Sequence, residues 1–249
     1  MEIIKAIVLA IIQGITEWLP ISSSAHLAIA SRIFNIEPDL FYYVILHFAT
    51  MLSLIVYFRK DIKPYFYDPT KRFLVSLKGW WIITASIPVF FSGFFLYDIV
   101  NILFSEMRII GIALLVNAAL LFGTQFMHTK HIITFPKALT IGLAQALSII
   151  PGISRSGITA ATGFYLNLRR EEIISFAMML ALPIMLGATA YMAVTTPFSH
   201  ITIPMIIGFF VAFVCGYIAI HILIQKILKG TFSTFWLYCA IIGVILLFN

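Results

Sequence analysis

Two polar stretches, each containing a proline, interrupt an otherwise apolar chain. The first runs Gln13-Gly-Ile-Thr-Glu-Trp-Leu-Pro-Ile-Ser-Ser-Ser-Ala-His26, and the second runs Pro151-Gly-Ile-Ser-Arg-Ser-Gly-Ile-Thr159. Each stretch combines hydroxyl groups with at least one ionisable side chain. Because polar and charged groups at membrane depth are costly, they are kept mainly where they serve a function. We therefore expect the two polar breaks to act together.

The composition places this chain in a bilayer. Of its 249 residues, 61% are hydrophobic and 10% are charged, whereas about 25% are charged in soluble domains. The apolar runs are continuous rather than alternating, which favours spanning helices over a membrane barrel. The sequence therefore predicts an all-α, polytopic membrane protein. Its net charge of +6 lies mainly in loops, which indicates membrane orientation and no nucleic-acid partner.

Eight apolar segments define the predicted topology. Two of them, 3–33 and 137–167, are interrupted in the middle by a polar break. Each is predicted to form two half-helices that enter the membrane and turn back. Irregular backbone at this depth is tolerated where it lies inside protein or lines a wet cavity. The other six are predicted to span the membrane, at about 38–58, 78–96, 108–126, 172–193, 202–224 and 233–248.

The two halves of the chain resemble each other. Phe48-Ala-Thr-Met-Leu-Ser-Leu54 matches Phe176-Ala-Met-Met-Leu-Ala-Leu182 at five of seven positions, and each copy follows a polar break. We expect a single membrane domain built from two repeats, about 1–128 and 129–249. Since each repeat has one broken segment and three spans, the second repeat should be inverted, with the breaks meeting near the midplane.

Loop charges predict the orientation. With both broken segments re-entrant, twelve basic residues fall on one side and three, Lys5, Arg32 and Arg108, on the other. The basic side should be cytoplasmic, which places the protein in the cell membrane with its active site open to the outer side. The twelve are Arg59, Lys60, Lys63, Lys71, Arg72, Lys78, Lys130, Lys137, Arg169, Arg170, Lys226 and Lys229.

The first break carries groups suited to metal binding and catalysis. Gln13 and Glu17 are four residues apart and so share one helical face. The serines at 22–24 follow Pro20, where they could cap the next half-helix or act as nucleophile and ligands. His26, in the first turn of that half-helix, is a candidate general acid or base.

The second break carries groups suited to an anion. Ser154 and Ser156 can cap the half-helix that follows Pro151, and a helix N-terminus is a ready anion site. Arg155 adds a guanidinium fork that matches phosphate oxygens. Two such N-termini facing each other would form a pocket for a highly charged anion.

Glu17 leaves two interpretations open, because a lone acid would repel phosphate. It could form an ion pair with Arg155 that holds the halves together. Alternatively, Glu17 and Gln13 could hold a divalent cation that bridges to phosphate oxygens. With a serine nucleophile and a histidine base, the second interpretation describes a phosphoryl-transfer site.

The two motifs together resemble the bacitracin-resistance family of undecaprenyl-diphosphate phosphatases. The elements are Gln13-x-x-x-Glu17, Pro-x-Ser-Ser-Ser-x-His26 and Pro151-Gly-x-Ser-Arg-Ser-Gly157, and the likeness covers nearly the whole chain. It implies removal of the terminal phosphate of undecaprenyl (polyprenyl) diphosphate, with dependence on Mg²⁺ or Ca²⁺. Gln13 is a variant of the motif that lacks a carboxylate at this position, so Glu17 becomes the main candidate for the acidic metal ligand.

The resemblance also implies roles for individual residues. The catalytic set is Glu17, Ser23 as nucleophile, His26 and Arg155, and the metal ligands are Gln13 and Glu17. Phosphate contacts are expected from Ser22, Ser24, Gly152, Ser154, Arg155, Ser156 and Thr159.

The expected partners are the polyprenyl diphosphate substrate and the lipid bilayer, and the sequence leaves both a monomer and a homodimer open. Inverted repeats with broken helices are also typical of carriers. A lipid-phosphate flippase, alone or coupled to hydrolysis, is therefore the alternative function, and a non-catalytic ion or anion channel is a second one. The serine, histidine and glutamate favour an enzyme, because transport needs no nucleophile.

Overall fold

The computed structural model of the chain describes residues 2–37, 39–66, 76–96, 102–104, 106–195 and 201–248, and these ranges contain helices but no β-strand. The main helices are α1 (Ile3–Trp18), α2 (Ser23–Ile33), α3 (Leu40–Tyr57), α4 (Arg59–Phe66), α5 (Leu77–Phe95), α6 (Met107–Gly123), α7 (Phe135–Ala146), α8 (Arg155–Tyr165), α9 (Arg170–Thr195), α10 (Ile203–Leu228) and α11 (Phe235–Leu247).

The long helices confirm an all-α membrane protein. Each of the six predicted spans coincides with a helix: α3, α5, α6, α9, α10 or α11. Among the described residues, three helical stretches are long and apolar enough to cross a bilayer: Met107–Phe126, Arg170–Tyr191 and Ile203–Leu228. Phe41–Tyr57 and Phe232–Leu247 are apolar but shorter. The total of six spans stays a prediction.

Two local details differ from the sequence prediction. The predicted loop after Phe58 begins with helix α4, and α10 continues to Leu228 through the residues expected to form a loop. In both places charged side chains follow an apolar run, yet the residues that carry them are helical. Charge alone does not end a helix, because lysine and arginine are good helix formers.

The two broken segments are each two helices joined by a short irregular link. Leu19, which precedes Pro20, is extended, and so is Ile150, which precedes Pro151. This is expected, because the proline ring disfavours the helical conformation of the residue before it. In the second segment a short 3₁₀ turn, Leu147–Ile149, follows α7 before the chain reaches the proline.

Helix packing is reciprocal between the two halves. In the first half, α1 and α3 both pack on α10 of the second half. In the second half, the corresponding helices α7 and α9 both pack on α5 of the first half. The pairs α3–α9 and α6–α11 also cross between the halves. Gly14 makes the close approach of α1 to α10, and Gly142 that of α7 to α5, because an added Cβ would collide with backbone of Ala212 or Ala85. The boundaries of the two repeats stay a prediction.

Candidate active site

The two polar breaks lie against each other and are joined by hydrogen bonds. The backbone N–H of Gly152 donates to Ser22 Oγ at 3.1 Å, and Ser156 Oγ donates to the Leu19 carbonyl at 3.3 Å. Ser22 Oγ and Ser156 are almost completely buried, so these bonds are shielded from competing solvent. The breaks of the first and second halves therefore form one structural unit.

Asn117, in the middle of α6, forms hydrogen bonds to both polar breaks. Its Nδ2 donates to the Pro20 carbonyl at 2.9 Å, and its Oδ1 accepts from the backbone N–H of Ser154 at 3.2 Å. The side chain is fully buried. Asn117 is not among the site residues predicted from the sequence, although an amide side chain in an otherwise apolar span is a signal that could have identified it.

Two of the predicted serines are helix caps. Ser22 caps α2 by accepting from the backbone N–H of Ala25 at 3.5 Å, and Ser154 caps α8 by accepting from that of Gly157 at 3.1 Å. The capping alternative therefore holds for these two hydroxyls. It leaves Ser23, the first residue of α2, free for another role.

Glu17 is the centre of the polar cluster. Its Oε2 accepts from Gln13 Nε2 at 2.9 Å and from Ser23 Oγ at 2.6 Å, and its Oε1 accepts from Arg155 Nη2. His47 Nε2 lies 3.5 Å from Oε2. The ion pair between Glu17 and Arg155, the simpler interpretation of the sequence, is thus present. A carboxylate with these donors is held in one orientation, facing Ser23.

Arg155 is fixed from three directions. Beside its ion pair with Glu17, its Nη1 donates to the Ala181 carbonyl at 3.3 Å, and its guanidinium lies over the Trp18 ring at 5.5 Å from the centroid. A guanidinium over an indole face is stabilised by the ring quadrupole. Arg155 is also the first residue of α8, so its charge adds to the positive end of that helix.

These groups open into a cavity of about 310 Å³. Its polar end holds the carboxylate, the guanidinium, an imidazole and the N-termini of α2 and α8, and its other wall is aliphatic, including Ile149, Ile184 and Met185. A cavity with an anion-binding end and an apolar wall suits an amphiphilic anion. The polar lining includes Glu17, Ser22, Ser23, Ser24, His47 and Arg155.

The predicted site residues do not all reach this cavity. Gly152, Ser156 and Thr159 are buried and lie outside its lining, and Thr159 Oγ1 donates to the Arg155 carbonyl at 2.8 Å. His26 also lies outside the lining. Its Nδ1 is 2.8 Å from the Ser22 carbonyl and its Nε2 is 2.7 Å from Tyr238 Oη.

His47 provides the imidazole that does line the cavity. Its Nδ1 donates to the Tyr43 carbonyl at 2.7 Å, which leaves Nε2 facing Glu17. In the sequence His47 directly precedes the repeated stretch Phe48–Leu54, a position from which it could line the cavity, but it is not among the predicted catalytic residues.

The predicted cation ligands fit a metal only in part. Glu17 already accepts three hydrogen bonds, and Gln13 presents its amide NH₂ to Glu17 while its Oε1 is buried without a partner in the described structure. No group of three His, Cys, Asp or Glu suited to a metal occurs among the described residues. Since Mg²⁺ commonly binds through one or two carboxylates plus substrate phosphates and waters, Glu17 could contribute a single ligand.

The link before α8 depends on a glycine. Gly152 has φ +109°, and an added Cβ would lie 2.6 Å from Ala113 Cβ and 2.7 Å from the Ile110 carbonyl. We expect Gly152→Ala to destabilise the protein by about 2 kcal/mol or more, from backbone strain and overpacking. Thermal unfolding in detergent measures this.

Gly93→Ala is the matched control. Gly93 lies inside α5, and an added Cβ there meets nothing within 4 Å. This variant should unfold at the same temperature as the wild type or slightly above it, because alanine is the better helix former by about 0.5–1 kcal/mol. Equal unfolding temperatures for the two alanine variants would contradict the role of Gly152.

Comparison with known proteins identifies the family of this chain. Residues 6–245 match the family of bacitracin resistance protein BacA. Undecaprenyl-diphosphatase of Korarchaeum cryptofilum is 35% identical over 99% of both chains, and that of Methanococcus vannielii is 34% identical over 97% of this chain and 98% of the relative. The undecaprenyl-diphosphatase of Bacteroides fragilis is 36% identical over 98% of this chain and 97% of the relative. The chain therefore belongs to the BacA family of bacitracin resistance proteins.

Proposed function

We propose that this protein is an integral membrane phosphatase that hydrolyses undecaprenyl diphosphate to undecaprenyl monophosphate and inorganic phosphate. This reaction recycles the lipid carrier for cell-envelope synthesis and gives resistance to bacitracin. One observation carries the proposal: a serine hydroxyl bonded to a buried carboxylate faces the same cavity as an arginine at a helix N-terminus. The family and its undecaprenyl-diphosphatase members support the substrate.

The diphosphate binds at the polar end of the cavity. The N-termini of α2 and α8 offer backbone N–H groups and partial positive charge, and Arg155 offers a guanidinium fork. Ser22, Ser24 and Ser154 line the same end. On binding, the phosphate oxygens replace Glu17 as a partner of Arg155.

The isoprenoid chain leaves the cavity through an apolar groove. A groove of about 480 Å³ adjoins the cavity at Val44, which lines both, and it is almost entirely apolar. Phe41, Phe48, Phe209 and Phe210 form much of its surface. An apolar path that begins at the anion site favours a lipid diphosphate over a soluble one.

The arrangement supports nucleophilic catalysis by Ser23. Its Oγ attacks the terminal phosphorus while Glu17 Oε2 takes its proton, and the bond from that phosphorus to the bridging oxygen breaks. The monophosphate leaves with the proton. Water then attacks the phosphoserine, Glu17 accepts a proton from it and returns that proton to Ser23 Oγ, and inorganic phosphate leaves. A flippase has no need of this serine–carboxylate contact.

Labelling tests the phosphoserine. Brief incubation with undecaprenyl diphosphate carrying ³²P in the terminal phosphate, followed by acid quench, should leave label on the wild type and none on Ser23→Ala. The adjacent Ser24→Ala is the control and should keep the label. Near-normal turnover by Ser23→Ala would exclude the covalent route and leave direct attack by water.

We also propose that Mg²⁺ or Ca²⁺ enters together with the diphosphate. The cation would neutralise phosphate charge, with Glu17 as its carboxylate ligand, Gln13 nearby, and the remaining ligands from substrate and water. Electron paramagnetic resonance can measure Mn²⁺ binding in the presence of a non-hydrolysable methylene diphosphonate analogue of the substrate. We expect Glu17→Gln to bind Mn²⁺ more weakly than the wild type in this assay. Unchanged binding in that variant would remove Glu17 as a ligand.

For the membrane arrangement, we propose six spans, two re-entrant helix pairs and a site open to the outer face of the cell membrane. The excess of loop charge supports this orientation, and the reciprocal packing of the two halves supports the inverted repeat. A cysteine at the exposed Glu37 should react with an impermeant thiol reagent in intact cells, and one at the exposed Lys229 should not. The reverse pattern would invert the orientation.

The direct test of function is phosphate release. Purified protein with Mg²⁺ should release phosphate from undecaprenyl diphosphate and not from the monophosphate, and a chelator should suppress the release. Absence of release from the diphosphate in detergent and in liposomes would refute the proposed activity.

A further inference from the structure

His26 is held on both sides of its ring, away from the cavity. Nδ1 lies 2.8 Å from the carbonyl of Ser22, one helical turn earlier, and Nε2 lies 2.7 Å from the hydroxyl of Tyr238 on α11. The two rings are also stacked, with centroids 5.5 Å apart and planes 12° apart. Tyr238 is 212 residues from His26 in sequence, so this contact joins the C-terminal helix to the first polar break.

The hydrogen bonds fix the tautomer of His26. A carbonyl oxygen can only accept, so Nδ1 must carry the hydrogen and donate it to Ser22. In the neutral ring, Nε2 is then the acceptor, and the Tyr238 hydroxyl donates to it. In the charged ring, Nε2–H donates to the Tyr238 oxygen instead. Both nitrogens are therefore engaged in either state, and neither is free to take a proton in the cavity.

The carbonyl that His26 holds belongs to a strained residue. Ser22 has φ +70° and ψ 97°, a conformation that costs a non-glycine residue free energy and persists only where its surroundings enforce it. The backbone N–H of His26 also donates to this carbonyl, at 3.3 Å, and the backbone N–H groups of Gly152 and Ala25 donate to the Ser22 hydroxyl. The next residue is Ser23, whose hydroxyl meets Glu17 at 2.6 Å. The backbone angles of Ser22 thus determine where the Ser23 hydroxyl points.

We propose that His26 and Tyr238 are positioning residues: Tyr238 orients His26, and His26 holds the Ser22 carbonyl so that the Ser23 hydroxyl stays aimed at Glu17 and the substrate phosphorus. His26 is then not the general base of the reaction. This inference rests on the proposed phosphatase activity, for which it names the residues that hold the nucleophile in place.

Three substitutions of His26 separate positioning from proton transfer. Asparagine places its Nδ2 where the histidine has Nδ1, so His26→Asn keeps the bond to the Ser22 carbonyl but has no basic nitrogen. His26→Gln places its amide near the former Nε2 and loses that bond, and His26→Leu loses both side-chain contacts. The backbone N–H of residue 26 keeps its own bond to the Ser22 carbonyl in all three variants. We expect kcat of His26→Asn to stay within about fivefold of the wild type and that of His26→Leu to fall about 100-fold, because small misplacements of a reacting group are costly.

KM should change little in all three variants, since Arg155 and the helix N-termini hold the phosphates. If His26 were the base, asparagine would be as damaging as leucine. Equal losses of kcat in His26→Asn and His26→Leu, in proteins with the same unfolding temperature, would therefore overturn the proposal. His26→Gln should resemble leucine more than asparagine, and the opposite order would also contradict it.

Tyr238→Phe tests the second contact. It should lower kcat in the wild-type background and have no further effect in His26→Leu, because its influence passes through His26. Tyr217→Phe is the control, since Tyr217 and Tyr238 are both 42% exposed. Independent, multiplicative losses from Tyr238→Phe and His26→Leu would refute the coupling. An inactive wild type would instead refute the proposed function, which keeps the two failures distinct.

Discussion

Replacing Glu17 with glutamine is expected to lower the kcat of phosphate release by about three orders of magnitude, the middle of the range for loss of a general base. Glutamine has nearly the same shape but cannot take the proton of Ser23, and it leaves the partly buried Arg155 without its counter-ion. The measurement is steady-state phosphate release from undecaprenyl diphosphate in detergent.

Glu2→Gln is the matched control for this variant. Glu2 stands just before the same helix, its side chain is 76% exposed, and its partner is the surface residue Lys5 at 3.9 Å. Such exposed pairs contribute little, so activity should stay at the wild-type level. A loss below tenfold in Glu17→Gln would contradict a catalytic role for the carboxylate.

Substitution of Arg155 is expected to cause the second largest loss of phosphatase activity. Arg155→Ala removes the guanidinium from the phosphate end of the cavity, and we expect kcat/KM to fall by about 100- to 1,000-fold, as for other losses of a preorganised donor. Arg155→Lys should recover only part of this loss. A lysine keeps the charge, but it cannot bond Glu17 or phosphate as a planar fork or stack on Trp18 in the same way.

Arg108→Ala serves as the control for charge alone, because Arg108 is exposed at the start of α6 and lies outside the cavity lining. Its kcat/KM should equal that of the wild type. Full recovery of activity by Arg155→Lys would show that Arg155 acts as a simple positive charge rather than as a fork.

Local signals allowed the helices and the two breaks to be predicted from the sequence. Apolar runs mark the spans, and Pro20 and Pro151 mark the links, because a proline restricts the residue before it in any context. The meeting of Glu17 with Arg155 was also open to prediction, as two opposite charges in an apolar interior must find partners.

The rest of the site depends on tertiary packing that no local pattern encodes. His26 and His47 each donate Nδ1 to the carbonyl four residues earlier, so their sequence settings are alike. Only the fold turns one ring toward Tyr238 on α11 and the other toward Glu17. The family motif favoured His26 as the base, whereas the geometry puts His47 in the cavity.

The two broken helices build one site, and a double-mutant cycle on phosphate release distinguishes a shared site from two independent ones. Glu17 and Arg155 come from different halves and share the cavity, so Glu17→Gln combined with Arg155→Ala should lose no more activity than the worse single variant. Losses that multiply in the double variant would show that the two residues act independently and would contradict a single shared site.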